Sequence, residues 1–324
     1  MKGMYVPDQH SRQTPIQILE YQRNISMYAL QLNAVLKAGI DVWLEYKGLS
    51  NDVAIVLTGS DGRSENMDPR NLELIVLVDG DIANLAEEFT TFIKGLLAGF
   101  TLETAHNNLV QVTNIHSSEL ISAVSYEFDS LYPDFILSSA FITGNEDVYK
   151  KAKQRVIQEM KLDVVRQQSV QQLKGYIEAA ETEHYKNVRI FDTTEGYQIY
   201  KEGNGRSLGF KIPFLRALQR SLLLLISSND SLLNLLLDSG PCNTANMLTL
   251  LHRNGFIDSS TYQALNEEYF WFLEQYHTAR NYFGYDLEGT SSRILLEFDI
   301  ETFERYSIQI IEFAKLVYSN ESKE

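Results

Sequence analysis

Residues 57 to 78 read LTGSDGRSENMDPRNLELIVLV, two apolar stretches separated by a small polar loop. A glycine directly after a buried strand lets the backbone turn sharply and exposes its amides, and the hydroxyl of Ser60 adds a donor; together these suit a phosphate oxygen. Arg63 offers a forked contact to a triphosphate, or equally a partner for Glu65. Asn71 and Glu73 stand two apart at the start of the second stretch, so on a strand they share one face beside the loop. Adjacent oxygens gripping Mg²⁺ next to a bound triphosphate are what metal-assisted phosphoryl transfer requires. A tight turn with surface charges satisfies the same letters.

The whole stretch resembles the nucleotidyltransferase domain of the DUF294 group, related to protein-PII uridylyltransferase and glutamine-synthetase adenylyltransferase. The motif of that group reads Gly-Ser/Gly-x-Gly-Arg-x-Glu, then Asp-x-Asp entering an apolar strand. Gly59, Ser60, Gly62, Arg63 and Glu65 match it one for one. Three further segments are similar to parts of those enzymes: AFITGNEDVYKKAKQRV (140 to 156) to their exit from the catalytic domain, KEGNG (201 to 205) to their Lys-x-Gly loop, and residues 243 to 281 to their helical bundle. The similarity touches roughly residues 50 to 285.

The resemblance implies a transferase that passes an NMP group from a nucleoside triphosphate to an acceptor hydroxyl, such as one on a protein, with Mg²⁺ as cofactor. Gly59, Ser60, Gly62, Arg63 and Glu65 would hold the nucleotide, and Asn71 and Glu73 would take the metal-binding and catalytic positions. The chain departs from the pattern in the charges that matter. Asn71-Leu72-Glu73 replaces Asp-x-Asp, the third carboxylate position falls near Ser138 or Ser139, and no aspartate follows the Lys-x-Gly loop near Leu208 to Phe210. Hard divalent cations bind chiefly through anionic oxygens, so three losses at one site weaken catalysis by the usual route. Asp68, Asp79 and Asp81 are the substitutes to consider. The alternative to an enzyme is a catalytically inactive relative that serves as a nucleotide-binding or protein-interaction regulatory module.

The elements that must position these residues fall into three parts. Residues 1–48 carry a long helical pattern, with Ile16, Ile18, Leu19, Ile25, Tyr28, Ala29, Leu32, Val35 and Leu36 at helical intervals. Residues 49–145 form the α/β nucleotidyltransferase-like domain: strands at VAIVLT (53 to 58) and LELIVLV (72 to 78), a helix over 82 to 98, further strand within 101 to 115, then helical ELISAVSYEF and FILSSAFIT. Residues 146–324 read as an almost wholly helical bundle, with helices near 146 to 190, 211 to 227, 243 to 254, 258 to 283 and 299 to 318 and loops at 201 to 209 and 285 to 292. SLLLLISSNDSLLNLLLD (221 to 238) reads as two buried helical pieces joined by a turn. The fold class expected is α+β, an α/β nucleotidyltransferase core followed by a mostly helical C-terminal bundle.

Composition limits the partners. With 28 basic and 43 acidic residues in 324, the net charge of −15 argues against a large nucleic-acid interface. No stretch of about eighteen uninterrupted apolar residues occurs, so no membrane association is expected. One cysteine, Cys242, excludes an intramolecular disulfide and fits a reducing, cytoplasmic location. His106, His116, His184, His252 and His277 lack metal-ligand spacing. Tyr262, Leu265, Tyr269, Phe272, Leu273 and Tyr276 repeat at three or four residues, as a bundle core does. Arg216, Arg220 and Arg280 are read as solvated helix arginines, with contact to a nucleotide as the alternative.

Overall fold

The computed structural model describes residues 15–65, 72–82, 84–98, 109–116, 136–161, 163–183, 188–193, 196–201, 214–238, 243–283, 293–295 and 300–321. These are mostly helical, with a small mixed four-stranded sheet and a separate three-stranded antiparallel sheet, compatible with an α+β class. The chain divides into two compact units. One is built from residues 23–165 and 230–246, the other from the described parts of 1–22, 166–229 and 247–324. The stretch from 146 to 165 therefore belongs with the mixed sheet.

In the first unit, helix α1 (Pro15–Lys47) places Leu36, Ile40, Trp43 and Leu44 on one buried face at helical spacing. It ends at Gly48, whose φ of +68° suits a residue without Cβ, and the Leu49 amide donates back to the Leu44 carbonyl at 3.0 Å. Strand β1 (Val53–Leu57) is buried along its whole length, as expected of a strand covered on both faces. After a one-turn helix, α2 (Gly59–Gly62), the chain reaches β2 (Glu73–Val78), antiparallel to β1 with Leu57 opposite Leu74. Helix α3 (Leu85–Ala98) buries Leu85, Phe89, Ile93 and Leu97. Strand β3 (Leu109–Asn114) runs parallel to β2.

Strand β4 (Ala140–Gly144) closes the order β3-β2-β1-β4, antiparallel to β1 with a bulge at Ile55/Val56. Here the helical reading of FILSSAFIT is corrected in its second half: Ile136 and Leu137 are helical, and the chain is strand from Ala140. The run is too short and too apolar for periodicity to separate a buried strand from a helix, and pairing with β1 decides it. Helix α4 (Glu146–Met160) follows at once. Asn145 caps it, accepting from the Asp147 amide at 2.9 Å, and Glu146 and Asp147 complement the helix dipole. One face of the sheet, with Ile55, Leu57, Leu74 and Val76, packs on α1 and α3. The other receives α4, where Phe141 stacks on Tyr149 with ring centroids 5.6 Å apart. Helix α5 (Asp163–Glu183) begins in this unit and continues into the second.

In the second unit the sequence pattern is corrected again, because the region after 145 is not wholly helical. Strands β5 (Val188–Thr193) and β6 (Gly196–Lys201) form an antiparallel pair, and β7 (Arg293–Leu295) pairs with β6. Lys201 thus ends a strand. The two helical pieces expected in 221 to 238 are α6 (Arg216–Ser227), in this unit, and α7 (Asp230–Asp238), which belongs to the first unit and packs there on α4. Helices α8 (Thr244–Arg253), α9 (Ser259–Phe283) and α10 (Ile300–Glu321) follow. Phe214, Phe272 and Phe303 meet with centroids 5.2 to 5.8 Å apart, and Trp271 sets its edge to Tyr306. The stripe on α9 is core as expected: Leu265, Tyr269, Phe272 and Leu273 are all buried. Arg220 departs from the solvated reading, since it is 5% exposed. No helix among the described residues is long and apolar enough to cross a membrane.

Candidate functional site at the Gly59 turn

The polar loop lies where one end of the mixed sheet brings three chain segments together. The Thr58 amide donates to the Glu73 carbonyl at 2.9 Å, extending the pairing of β1 and β2 by one residue and setting Gly59 beside Glu73. Gly59 takes φ +60°, and an ideal Cβ there would stand 1.9 Å from Glu73 Oε2. The Glu73 carboxylate therefore lies directly against the bare α-carbon of the turn. Gly62 is required for a different reason: a Cβ there would meet the carbonyl oxygens of Leu57 at 2.6 Å and Ser138 at 2.7 Å. The glycines at 59 and 62 let a side chain and two backbone segments approach the turn more closely than any other residue permits.

Arg63 and Glu65 turn inward. Arg63 Nε donates to Glu65 Oε2 at 2.7 Å, with both side chains under a tenth exposed. The hydroxyl of Thr244, itself buried, donates to Glu65 Oε1 at 3.3 Å. A buried guanidinium neutralised by a buried carboxylate has its charge committed within the protein. Of the two roles the sequence left open for Arg63, the partnership with Glu65 is the one observed.

The segment expected to offer a third carboxylate is filled by hydroxyls and backbone. Ser138 and Ser139 are buried, Ser139 Oγ donates to the Ile136 carbonyl at 2.6 Å, and Tyr149 OH donates to the Ser139 carbonyl at 2.8 Å. Below them Lys153, also buried, donates to the Leu236 carbonyl at 3.2 Å. This polar layer ties the start of β4 to α4 and α7. No residue pattern announces it, although Tyr149 and Lys153 at i and i+4 lie on one helix face.

Of the substitute aspartates, Asp79 and Asp81 do not reach the turn. Asp79 and Asp81 follow the far end of β2, about 20 Å from Glu73 at the rise of a strand. Asp79 accepts from Lys151 Nζ and pairs with His116 Nε2, both at 2.8 Å, while Asp81 accepts from Asn114 Nδ2 at 3.2 Å. The hydrogen bonds from Lys151 and His116 hold the Asp79 carboxyl below its ordinary value, and Asp79 raises that of Lys151. A depressed carboxyl contributes stability above its unfolded pKa, near 4, and loses it as pH falls through the folded value. The raised Lys151 contributes below its unfolded value and loses that contribution as pH rises through the folded one. Asp79→Asn is therefore expected to lose less stability than the native chain between pH 5 and about pH 3, read as urea midpoints. Equal losses would mean that Asp79 is not held in these contacts.

Asn71, Asp68, His106, His184, Cys242, residues 202 to 210 and the ELISAVSYEF segment lie outside the described residues, as do the side chains of Ser60, Tyr276 and Arg280. His252 stacks on Tyr262 with centroids 4.7 Å apart and His277 is buried, both in the second unit. Arg216 donates to Gln219 at 2.9 Å. The described donors do not fit a Mg²⁺ site of the two-carboxylate kind. Glu65 is engaged by Arg63 and Thr244, leaving Glu73, and among the described residues no group of three or more His, Cys, Asp or Glu side chains is disposed to hold a metal ion. No protein-family model matches the chain, and no curated protein matches it.

Proposed function

We propose that the protein is a catalytically inactive relative of the nucleotidyltransferases, serving as a protein-interaction and regulatory module. The observation that carries this reading is the Glu73 carboxylate lying against Gly59. A phosphate approaching that turn meets a negative charge where it needs donors, and the nearest arginine of the motif is buried with its own carboxylate. The sequence adds to this: Asn71 replaces an acid, and serines occupy the region of the third carboxylate. The transferase reading, NMP passed from an NTP to an acceptor hydroxyl, keeps one observation in its favour, that Glu73 does reach the turn.

Pyrophosphate release and calorimetric titration with ATP, UTP, GTP and CTP, with and without Mg²⁺, separate the two. The native chain is expected to release no pyrophosphate and to bind no nucleotide more tightly than about millimolar, a free energy of roughly −4 kcal/mol. Asn71→Asp, which supplies the second anionic oxygen, is expected to gain metal-dependent affinity. Turnover by the native chain with any nucleotide would overturn the proposal. If native chain and variant behave alike with every nucleotide, position 71 is no part of a degenerate metal site.

A further inference from the structure

Helix α1 has a second apolar face, made of residues that take no part in the Gly59 turn. Among the described residues six large hydrophobic side chains are markedly exposed, and four of them belong to α1: Met27 (46%), Leu30 (69%), Val42 (67%) and Tyr46 (84%). With the exposed Ala34 and Ala38 they step along the helix by three and then four residues, a continuous ridge on the side away from buried Leu36, Ile40 and Trp43. A helix apolar on opposite faces is covered on both, because a contiguous greasy ridge in water favours association.

The charges along the ridge select the partner. Lys37 is taken by Asp41 at 2.7 Å and Lys47 by Glu88 at 2.6 Å, so the flanking charges neutralise one another within the chain. Exposed Arg23 is left at one end of the ridge and exposed Glu45 at the other. A surface with a cation at one end, an anion at the other and an apolar middle is complementary to itself when turned end for end. The two alanines at its centre let a second helix come close. We infer that the α1 ridge is a dimer interface on which a second copy of this chain packs antiparallel about a two-fold axis near Ala34. Met27 then meets the partner's Val42, and Arg23 meets the partner's Glu45 and the ring of the partner's Tyr46. The ridge spans about 36 Å from residue 23 to 46, a length at which two helices form a stable seam.

Sedimentation equilibrium of the full chain tests this, and the outcome does not depend on whether the Gly59 turn binds nucleotide. The native protein is expected to sediment as a dimer, and Leu30→Glu, a change at an exposed position, as a monomer with the melting temperature of the native chain diluted to its monomer. Arg23→Glu and Glu45→Arg are each expected to raise the dimer dissociation constant roughly threefold to tenfold, since symmetry makes each change count twice, and the double reversal to restore it. A native chain monomeric at every concentration would overturn the inference, as would a dimer that survives Leu30→Glu or charge reversals that fail to rescue one another. A Leu30→Glu monomer that melts earlier than the native chain diluted to its monomer would overturn it too, assigning the ridge to another segment of the same chain.

Discussion

Replacing Arg63 by methionine is expected to cost about 3 to 5 kcal/mol of folding stability, because it strands a carboxylate in the interior. Arg63 and Glu65 are only 3% and 7% exposed at their side chains, so water cannot take over when one of them is removed. The Thr244 hydroxyl still donates to Glu65, but one neutral hydrogen bond contributes only about 1 kcal/mol and does not replace a guanidinium. The paired change Arg63→Met with Glu65→Leu removes both charges and is expected to recover most of the loss, leaving about 1 to 2 kcal/mol for imperfect packing. Urea unfolding of the two single variants and the double variant closes the cycle. A loss below about 1 kcal/mol in Arg63→Met would mean that the pair is solvated, as surface pairs are.

Gly144→Ala is expected to be nearly as damaging, at about 3 to 4 kcal/mol, and much worse than Gly59→Ala. Both glycines have positive φ, +94° and +60°, so an alanine at either is strained by roughly 1 to 2 kcal/mol. What differs is the neighbour. At Gly144 the new Cβ would stand 2.3 Å from the Val53 carbonyl oxygen, part of the β1 backbone that pairs with β4 and accepts from the Asn145 amide. That backbone cannot move without breaking the sheet. At Gly59 the obstacle is the end of the Glu73 side chain, which rotates away at small cost. Equilibrium unfolding of the two alanine variants gives the comparison, and equal losses would show that Glu73 is as rigidly held as the strand.

The difference between what the residues announced and what they concealed has a physical source. VAIVL and ELIVLV were legible as strands because burial on both faces leaves an uninterrupted apolar run, and the α9 stripe because helical spacing repeats over many turns. The turn was legible from Gly59, Gly62 and the offset to Glu73. Strand β4 was not, since five residues carry too few periods to outvote the helix beside them. The β5 and β6 hairpin left a signal, alternating apolar residues in VRIFDT and GYQIYK around a polar turn, that a reading of helix to about 190 and loop from 201 passed over. Its third strand, β7, lies about a hundred residues away, and such non-local pairing leaves no local trace. Nor could the direction of Arg63 be read: an arginine two residues before a glutamate looks the same whether the pair faces water or a buried threonine far along the chain.

The proposed function rests on the Glu73 carboxylate at Gly59, whose negative charge would repel phosphate from the turn. Titrating ATP without divalent metal into the native chain and into Glu73→Ala tests it most directly. No saturable binding is expected to the native chain and measurable binding to the variant, in which the negative charge is gone. Binding by the native chain that disappears in Glu73→Ala would contradict it, for Glu73 would then hold the nucleotide.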